Sequence, residues 1–484
     1  MKSSAISPRA AAGLILPLLF AGLLFFAGMP QPAQAVGRGI VDQRLERVYP
    51  PVGLDELPAI VAEMGPGKLQ ARWTRVQVSW ARLQPVAPDT PPSGDDVNGD
   101  GYLDSYVTEL DAVVDALRDA NLTVMMTASD VPEWASDKRY WTREGYDPDV
   151  AMRIDDSKVR AQFAALGTFL SKHFAGRVRH FECWNEPNLG SGIFPQKKGT
   201  TAVGPSVYFK MLKAFYAGAK RGSSQAIVIA GATAPRGTNN QYSTSPQRFA
   251  RYLESRHATK WFNAYSHHPY TPGGSRNAAP DRPPNNPSRC VTLYNLNVLM
   301  KLFPGKPFYL TEFAYNTRKS ELFGLKVSPA DQARYLRKAY SMVARWPRVK
   351  ALLWYNVVDW GRDPAHPADG VYCGLIESNG VTRKPAWYAF AGGNRLTVKA
   401  PASVKARQTF SVSGTLTTRL GPGEAVKVML QGRNTSRGKW SRVAAKTTTV
   451  SGAYAFTIRQ TGSKMYRVVW DGVCESAQKS VRTR

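Results

Sequence analysis

The chain has 484 residues, which is more than one average domain of about 150 residues requires and fits one large barrel plus a smaller module. Apolar residues make up 43% and charged residues 21%, an ordinary globular composition that excludes disordered and collagen-like chains. The formal net charge is +28, which indicates anionic neighbours such as acidic polysaccharide, a membrane surface or nucleic acid. The four cysteines are widely spaced, which excludes a disulfide-dense scaffold and a four-cysteine zinc ribbon.

The N-terminal segment has the pattern of a secretory signal peptide. A basic start precedes an apolar stretch over residues 10–29, and Ala33 and Ala35 then form an Ala-x-Ala cleavage site. The apolar stretch is also long enough to act as an uncleaved membrane anchor, which is the alternative. We therefore predict that residues 1–35 are a signal peptide and that the mature protein is secreted or cell-wall associated, without a membrane span.

Beyond this segment, short apolar stretches alternate with longer amphipathic ones. The short stretches predict strands and the amphipathic ones predict helices, because apolar residues recur with the periods of those elements. In chain order, the predictions are a strand over 38–42 and then helix and strand pairs at 54–64 and 71–80, 110–117 and 122–128, 158–174 and 178–184, 208–220 and 226–230, 246–256 and 261–266, 291–302 and 307–311, and 329–345 and 349–355, with a closing helix over 384–390. Eight strands alternating with helices predict a (β/α)8 TIM barrel over residues 36–393. An open doubly wound sheet is the alternative, but no glycine-rich phosphate turn follows the first strands.

After Gly392 and Gly393 the pattern changes to short strands separated by Gly and Pro turns. The predicted strands are 396–398, 408–416, 425–430, 440–449, 454–458 and 466–469. This spacing predicts a small β-sandwich of the immunoglobulin type over residues 394–484.

The same C-terminal segment is strongly basic. Residues 395–484 contain 17 Lys and Arg but only 3 Asp and Glu, so this fifth of the chain carries half of the net charge. We expect the module either to bind an anionic cell-wall polymer or to act as a solubilising spacer. Nucleic acid is not an expected partner, because no nucleic-acid-binding fold signature is present.

Two glutamates lie where predicted strands end, which is where the active sites of such barrels are found. Glu186 follows the fourth strand in a Trp-Asn-Glu-Pro motif, and Glu312 ends the seventh in a Thr-Glu-Phe motif. Two carboxylates facing each other across a cleft are what glycoside hydrolysis requires, one to protonate the leaving oxygen and one to attack or stabilise the sugar carbon. The alternative is that each glutamate caps a helix or pairs with a basic residue.

With these motifs the chain resembles the clan of retaining glycoside hydrolases built on (β/α)8 barrels, and it is most similar to the β-xylosidase/α-iduronidase-like and cellulase-like families. The resemblance spans about residues 54–390 and implies that Glu186 is the acid/base and Glu312 the nucleophile. It further implies a set of substrate-binding residues, namely Arg75 beneath the nucleophile, Asn185 at the sugar 2-hydroxyl, His268 and Tyr270 after the sixth strand, and Trp354 as a sugar platform on the eighth. The third strand lacks the histidine that cellulase-like members often carry, which favours the xylosidase-like relatives.

The chemistry of these residues is consistent with a double displacement. Arg75 beside Glu312 is expected to keep that carboxylate ionised, as a nucleophile requires, whereas Glu186 has to be protonated when it acts as the acid. Retaining enzymes hold the two carboxyl groups about 5–5.5 Å apart, so we expect that spacing here. We therefore predict a secreted retaining glycoside hydrolase that acts on a poly- or oligosaccharide without a required cofactor. The alternative is a carbohydrate- or cell-wall-binding barrel with little or no turnover.

A separate acidic loop has the spacing of the start of a calcium-binding loop. Oxygen-bearing side chains occupy its positions 1, 3, 5 and 9, in the order Asp96, Asn98, Asp100 and Asp104, and a glycine occupies position 6. Position 12 is Val107 in place of a glutamate, so the bidentate ligand is missing. The sequence therefore leaves two alternatives, a structural calcium ion or a polar turn without metal.

Overall fold

The computed structural model describes residues 36–45, 54–90, 94–140, 150–272, 278–320, 325–360, 370–434 and 436–484. The predicted signal peptide, residues 1–35, lies outside the described residues. None of the helices in these ranges combines the length and the apolar character needed to cross a bilayer.

Eight parallel strands form a closed barrel. In chain order β1–β8 are Gly37–Val41, Trp73–Ser79, Thr123–Ser129, His180–Glu182, Ile227–Thr233, Ala264–His267, Phe308–Phe313 and Val349–Tyr355. Each strand pairs with the next, and β8 pairs with β1 to close the ring. The strands are buried along almost their whole length, as expected for a parallel sheet that is covered on both faces. This confirms the predicted (β/α)8 barrel.

Helices alternate with these strands and bury one apolar face against them. In chain order α1–α9 are Leu57–Met64, Trp80–Leu83, Asp104–Asp119, Ser157–His173, Gly204–Gly222, Pro246–Ser255, Asn297–Leu302, Pro329–Val343 and Pro385–Ala391. Helix α4 begins after Asp156, whose carboxylate accepts the N–H groups of Lys158 and Val159 and so caps the first turn. Helices α1, α5, α6, α8 and α9 have a proline in the first turn. Proline favours a helix start for a different reason, because the N–H group that it lacks has no partner within the first turn.

The helix predicted over 291–302 begins only at Asn297. The Asn295 side chain accepts the N–H of Thr292 at 2.8 Å and donates to the carbonyl of Cys290 at 3.0 Å. These bonds hold residues 290–295 in a turn. The apolar residues before Asn297 are buried in that turn, which explains why their pattern resembled a helix.

The C-terminal segment forms two β-sheets. In chain order β9–β18 are Arg395–Leu396, Ser403–Val404, Thr409–Thr418, Gly421–Pro422, Lys427–Arg433, Ser441–Thr447, Ala453–Arg459, Lys464–Trp470, Cys474–Glu475 and Lys479–Thr483. One sheet contains β9, β11, β12 and β15, and the other contains β10, β18, β16, β13, β14 and β17. Buried and exposed residues alternate along β11 and β15, as expected for strands with one face in a core. The predicted β-sandwich is therefore confirmed, whereas its immunoglobulin type stays a prediction.

The sandwich packs directly on the barrel. Tyr388 of α9 lies 4.8 Å from Trp470 of β16, measured between ring centroids. Arg334 of α8 donates to the carboxylate of Asp471 at 2.9 Å. Residues Val36–Arg484 accordingly form one compact unit, in which α9 ends at Ala391 and β9 begins at Arg395. The division at residue 393 stays a prediction.

Close packing of α4 and α5 supports β4, the strand that leads to Glu186. A Cβ atom on Gly218 would lie 1.8 Å from the carbonyl oxygen of Ala164, and one on Gly222 would lie 2.1 Å from Oγ of Ser171. Only glycine allows the two helices to approach this closely. Since α4 precedes β4 and α5 follows its loop, this contact helps to fix the strand.

Replacing Gly218 with Ala is expected to lower the free energy of unfolding by about 1–3 kcal/mol, because the added methyl group overpacks the contact between α4 and α5. Urea-induced unfolding followed by tryptophan fluorescence measures the change. The matched control is Gly462→Ala, since a Cβ atom there meets nothing within 4 Å. Equal unfolding midpoints for the two variants would contradict this account of the helix contact.

Candidate active site

Glu186 lies at the mouth of the barrel, on the turn that follows β4. Its backbone and that of Trp184 adopt the left-handed region, with φ of 41° and 81°, so the chain turns sharply after the strand. The N–H of Glu186 donates to the carbonyl of Ala232 at the end of β5 at 3.0 Å. Gly192 packs against this turn, where a Cβ atom would lie 2.5 Å from the Glu186 carbonyl oxygen. The turn leaves the Glu186 side chain 24% exposed.

Glu312 is held by donors from two other strands. It lies on β7 and is 8% exposed. Nη2 of Arg75, on β2, donates to Glu312 Oε1 at 2.6 Å, and the hydroxyl of Tyr270 donates to Oε2 at 2.9 Å. Both carboxylate oxygens are therefore held in a fixed orientation.

His268 lies between the two glutamates. Its Nδ1 is 2.9 Å from Glu186 Oε1 and 3.5 Å from Glu312 Oε2. One carboxylate oxygen of each glutamate and one ring nitrogen of His268 all lie within 4.8 Å of one another. Because an ionised carboxylate only accepts hydrogen bonds, Nδ1 carries a proton when it faces one. The structure thus brings the two predicted glutamates to one point at the barrel mouth.

The electrostatics of this group follow from its burial and its charges. Burial raises the pKa of Glu312, but the neighbouring charges of His268 and Arg75 outweigh it and lower the pKa below the ordinary value. Burial lowers the pKa of His268, but the charge of Glu312 and the hydrogen bond to Glu186 outweigh it and raise the pKa. The site therefore favours an ionised Glu312 next to a protonated imidazole.

Asn185 and Trp354 have different surroundings. Nη1 of Arg75 donates to Oδ1 of Asn185 at 3.3 Å, which places the Asn185 amide beside the glutamates. Trp354 is only 1% exposed, and its indole N–H donates to the carbonyl of Cys373 at 2.9 Å. Its ring has no open face in the described structure. The predicted role of Trp354 as a sugar platform is thus not supported, because it packs into the core beside Phe313.

Glu182, which the sequence motifs did not indicate, is a buried carboxylate beneath the site. It is 0% exposed and accepts hydrogen bonds from Thr127 Oγ1 at 2.7 Å and Thr311 Oγ1 at 3.0 Å. Thr311 Oγ1 also lies 3.1 Å from Nε2 of His268, so Glu182 and the imidazole share this hydroxyl. An acidic residue within an apolar strand was the available signal, since buried carboxylates are rare unless they are partnered.

A cleft of about 750 Å³ opens above Glu186 and Glu312. The loops that follow β5, β6 and β7 form its remaining walls. Its volume lies within the range of small-molecule sites, about 300–1,000 Å³. The two carboxylates therefore face a space that can hold part of a glycan.

In the loop predicted to bind calcium, the polar side chains form hydrogen bonds with other residues of the same loop. Asp96 Oδ1 accepts the N–H of Asp100 at 3.1 Å, and Asp104 Oδ1 accepts from Nδ2 of Asn98 at 2.8 Å. Asn98 thus presents its amide nitrogen to Asp104, while its oxygen accepts the N–H of Asp100. Within the described ranges, Glu186, His268 and Glu312 are the only group of three His, Cys, Asp or Glu side chains close enough to share an ion. Calcium binding by the loop stays a prediction.

Comparisons with known proteins relate the fold to glycoside hydrolases. No protein-family model matches the chain, and no curated protein matches it. A solved GH5_18 structure from Streptomyces cattleya in complex with GlcNAc matches with a TM-score of 0.53 and 15% identity, over 74% of this chain and 80% of that one. A β-glucosidase from Pyrococcus furiosus matches with a TM-score of 0.52 and 15% identity, over 74% of this chain and 94% of that one. The chain spans only 45% of a β-glucuronidase 2 from Bacteroides uniformis, with a TM-score of 0.45 and 11% identity. At these identities, the first two matches show that the chain shares the barrel fold of these glycoside hydrolases.

Replacing Glu312 with Gln is expected to lower the pKa of His268 relative to the unaltered protein. The substitution removes the charge of Glu312, which raises the pKa of His268, so the lowering by burial is then opposed only by Glu186. An NMR titration of the ring signals, assigned with a His268→Gln variant, measures the shift.

The control for this titration is Glu377→Gln, which removes a partly exposed glutamate that pairs with Arg318 away from His268. It is expected to leave the His268 titration unchanged. An identical His268 pKa in Glu312→Gln and in the unaltered protein would contradict the electrostatic account of the site.

Proposed function

We propose that the protein is an O-glycosyl hydrolase that cleaves glycosidic bonds in a poly- or oligosaccharide. The observation that carries this proposal is the pair of carboxylates, Glu186 and Glu312, which meet across His268 at the floor of one cleft. Such a pair supplies both an acid for the leaving oxygen and a carboxylate for the sugar carbon. The barrel fold shared with solved glycosidases supports the same assignment.

The spacing of the pair favours a retaining double displacement. Oxygens of the two carboxylates lie within 4.8 Å, close to the roughly 5–5.5 Å of retaining enzymes and short of the 6.5–9.5 Å that leaves room for an attacking water. In the first step Glu312 forms a bond to the anomeric carbon while the bond to the leaving oxygen breaks, and Glu186 protonates that oxygen. In the second step Glu186 removes a proton from water, which attacks the same carbon and releases Glu312.

Arg75 and Tyr270 prepare Glu312 for attack. Their hydrogen bonds fix both oxygens of the carboxylate, and the charge of Arg75 helps to lower its pKa. Burial raises the pKa of Tyr270 well above its ordinary value, so its hydroxyl stays a neutral donor. Glu312 is therefore both ionised and oriented before substrate arrives, which is the preorganisation that catalysis requires.

The His268–Glu186 pair holds the proton that the leaving group needs. His268 Nδ1 lies 2.9 Å from Glu186 Oε1, and the charge of Glu312 and the hydrogen bond to Glu186 raise the pKa of His268, which favours a proton in the pair. When Glu312 becomes glycosylated, its negative charge is lost, and the pair then holds this proton less strongly. Glu186 can accordingly act as acid in the first step and as base in the second.

A carbohydrate-binding barrel without turnover is the competing function. Binding of sugar hydroxyls requires donors and acceptors, but it does not require two carboxylates held within 4.8 Å of each other. Placing two such groups together is electrostatically unfavourable, and here Arg75 and His268 offset it. The arrangement therefore favours catalysis over binding alone.

Turnover of a panel of aryl glycosides tests the proposal. Glu312→Gln is expected to abolish measurable turnover, and Glu186→Gln to lower kcat by about 10²–10⁴-fold on substrates with poor leaving groups, because general acid catalysis is lost. Azide is expected to restore turnover of a Glu186→Ala variant on activated substrates, with a glycosyl azide as product. Glu377→Gln serves as control and should match the unaltered enzyme.

The same panel separates the alternatives. Proton NMR of the first product should show the anomeric configuration of the substrate, and inversion would overturn the double displacement. Affinity for oligosaccharides without hydrolysis of any substrate would favour the binding barrel.

We further infer that the protein is exported and contacts anionic wall polymer through residues 395–484. The signal-peptide pattern over residues 1–35 and the 17 Lys and Arg of the C-terminal sandwich support this inference. Mass spectrometry of secreted protein is expected to find an N-terminus at Val36, and intact residues 1–35 would contradict cleavage.

Retention on polygalacturonate beads measures the contact with anionic polymer. A triple variant, Arg437→Gln, Lys439→Gln and Lys446→Gln, removes exposed charges of the sandwich and is expected to elute at lower salt. The matched control removes three exposed charges of the barrel with Arg256→Gln, Lys301→Gln and Arg345→Gln. Equal elution of the two triple variants would overturn the role of the sandwich.

A further inference from the structure

The cleft above the glutamates carries charge of both signs at different places. Apart from Glu186 and Glu312, the charged residues that line it within the described structure are Arg236 and Arg289. Arg236 lies on the loop after β5 and Arg289 on the loop after β6. The wall formed by these two loops is therefore cationic, whereas the floor carries the carboxylates.

Neither arginine is used to stabilise the fold through its charge. Both are exposed to solvent, and neither guanidinium forms a salt bridge with a carboxylate of the described ranges. Other surface arginines of this protein do have such partners, for example Arg177 with Asp115 at 3.0 Å. Both residues line the cleft, so two guanidinium charges that no carboxylate of the described residues neutralises are available to a ligand bound there.

The backbone under these arginines is held rigidly and close to Glu186. The Nδ2 of Asn188, two residues after Glu186, donates to the carbonyl of Arg236 at 3.4 Å. The two loops then pair with each other, since Arg236 forms a β-bridge with Cys290 and the N–H of Gly237 donates to the carbonyl of Arg289 at 3.2 Å.

Gly237 allows this pairing, because a Cβ atom there would lie 2.3 Å from the backbone of Thr244. The positions of both arginines are thus preorganised relative to the acid/base.

We propose that Arg236 and Arg289 form a subsite for an anionic sugar unit, one that bears a carboxylate or a sulfate, in the same cleft as the reacting bond. This inference rests on the proposed glycosidase function and names its substrate class. The guanidinium fork donates two parallel hydrogen bonds to a carboxylate or sulfate group, which a hydroxyl of a neutral sugar cannot accept in the same way.

The electrostatics favour an anionic over a neutral ligand at this wall. Each guanidinium carries a positive charge that no carboxylate of the described residues neutralises, so an anion bound at this wall is attracted to it. The net charge of +28 adds a long-range attraction for anionic glycans. A neutral glycan gains from neither effect.

Binding of a matched pair of oligosaccharides tests the subsite independently of turnover. The probes are a uronic-acid-containing oligosaccharide and its carboxyl-reduced neutral form, with a sulfated oligosaccharide as a further arm that separates carboxylate from sulfate. Calorimetry on the Glu312→Gln variant is expected to show at least about fivefold tighter binding of the acidic form, which is the net contribution of one typical hydrogen bond.

In the Glu312→Gln background, a second substitution, either Arg236→Gln or Arg289→Gln, is expected to reduce the preference for the acidic probe by about fivefold. Addition of about 0.5 M salt should reduce the same preference. The matched control is Arg282→Gln, an exposed arginine on the same loop as Arg289 that does not line the cleft. It should leave the preference unchanged.

The outcomes distinguish this inference from the proposed hydrolysis. Equal affinity for the acidic and the neutral probe, or a preference that both arginine variants retain, overturns the subsite while hydrolysis of aryl glycosides stands. An arginine-dependent preference in a protein that hydrolyses no glycoside supports the subsite and overturns the hydrolase.

Discussion

The site depends on one buried ion pair, Arg75 with Glu312. The two groups are 2.6 Å apart and almost wholly excluded from solvent, so removing either would leave an uncompensated buried charge. Arg75 also donates to Asn185 and lies 3.4 Å from His268 Nε2 and 3.9 Å from Glu182. Its guanidinium therefore positions Glu312 and three further residues of the site at once.

This pair is possible because the barrel brings distant strands to one edge. Arg75, Glu182, His268 and Glu312 come from β2, β4, β6 and β7 or their ends, and the parallel closed sheet places these ends at the same mouth. The close packing of α4 against α5 and the bond from Glu186 to Ala232 then fix the loop that carries the second carboxylate. The packing that stabilises the barrel therefore also fixes the positions of the site residues.

The periodicity of apolar residues in the sequence was sufficient to predict most of the helices and strands. It failed where a side chain bonded to the backbone and turned the chain. Strands such as Val349–Tyr355 were predictable because every residue except Lys350 is apolar. The helix predicted from residue 291 was too long, because the amide of Asn295 closes a turn that no apolar pattern reports. Trp354 was placed on the correct strand, but its burial beside Phe313 depends on contacts that a linear pattern does not contain.

For the site, the chain order was enough to indicate Glu186 and Glu312, since a carboxylate directly at a strand end is a local feature. The partnership of Glu182 with Thr127 and Thr311 arises only when β3, β4 and β7 close around it. The pairing of the loop that carries Arg236 with the loop that carries Arg289 likewise requires two segments distant in the chain to meet at one wall of the cleft. The local sequence pattern therefore determined which residues end each strand and helix. Only the tertiary structure decided the distances between side chains that are far apart in the chain, because the packing of the closed barrel sets those distances.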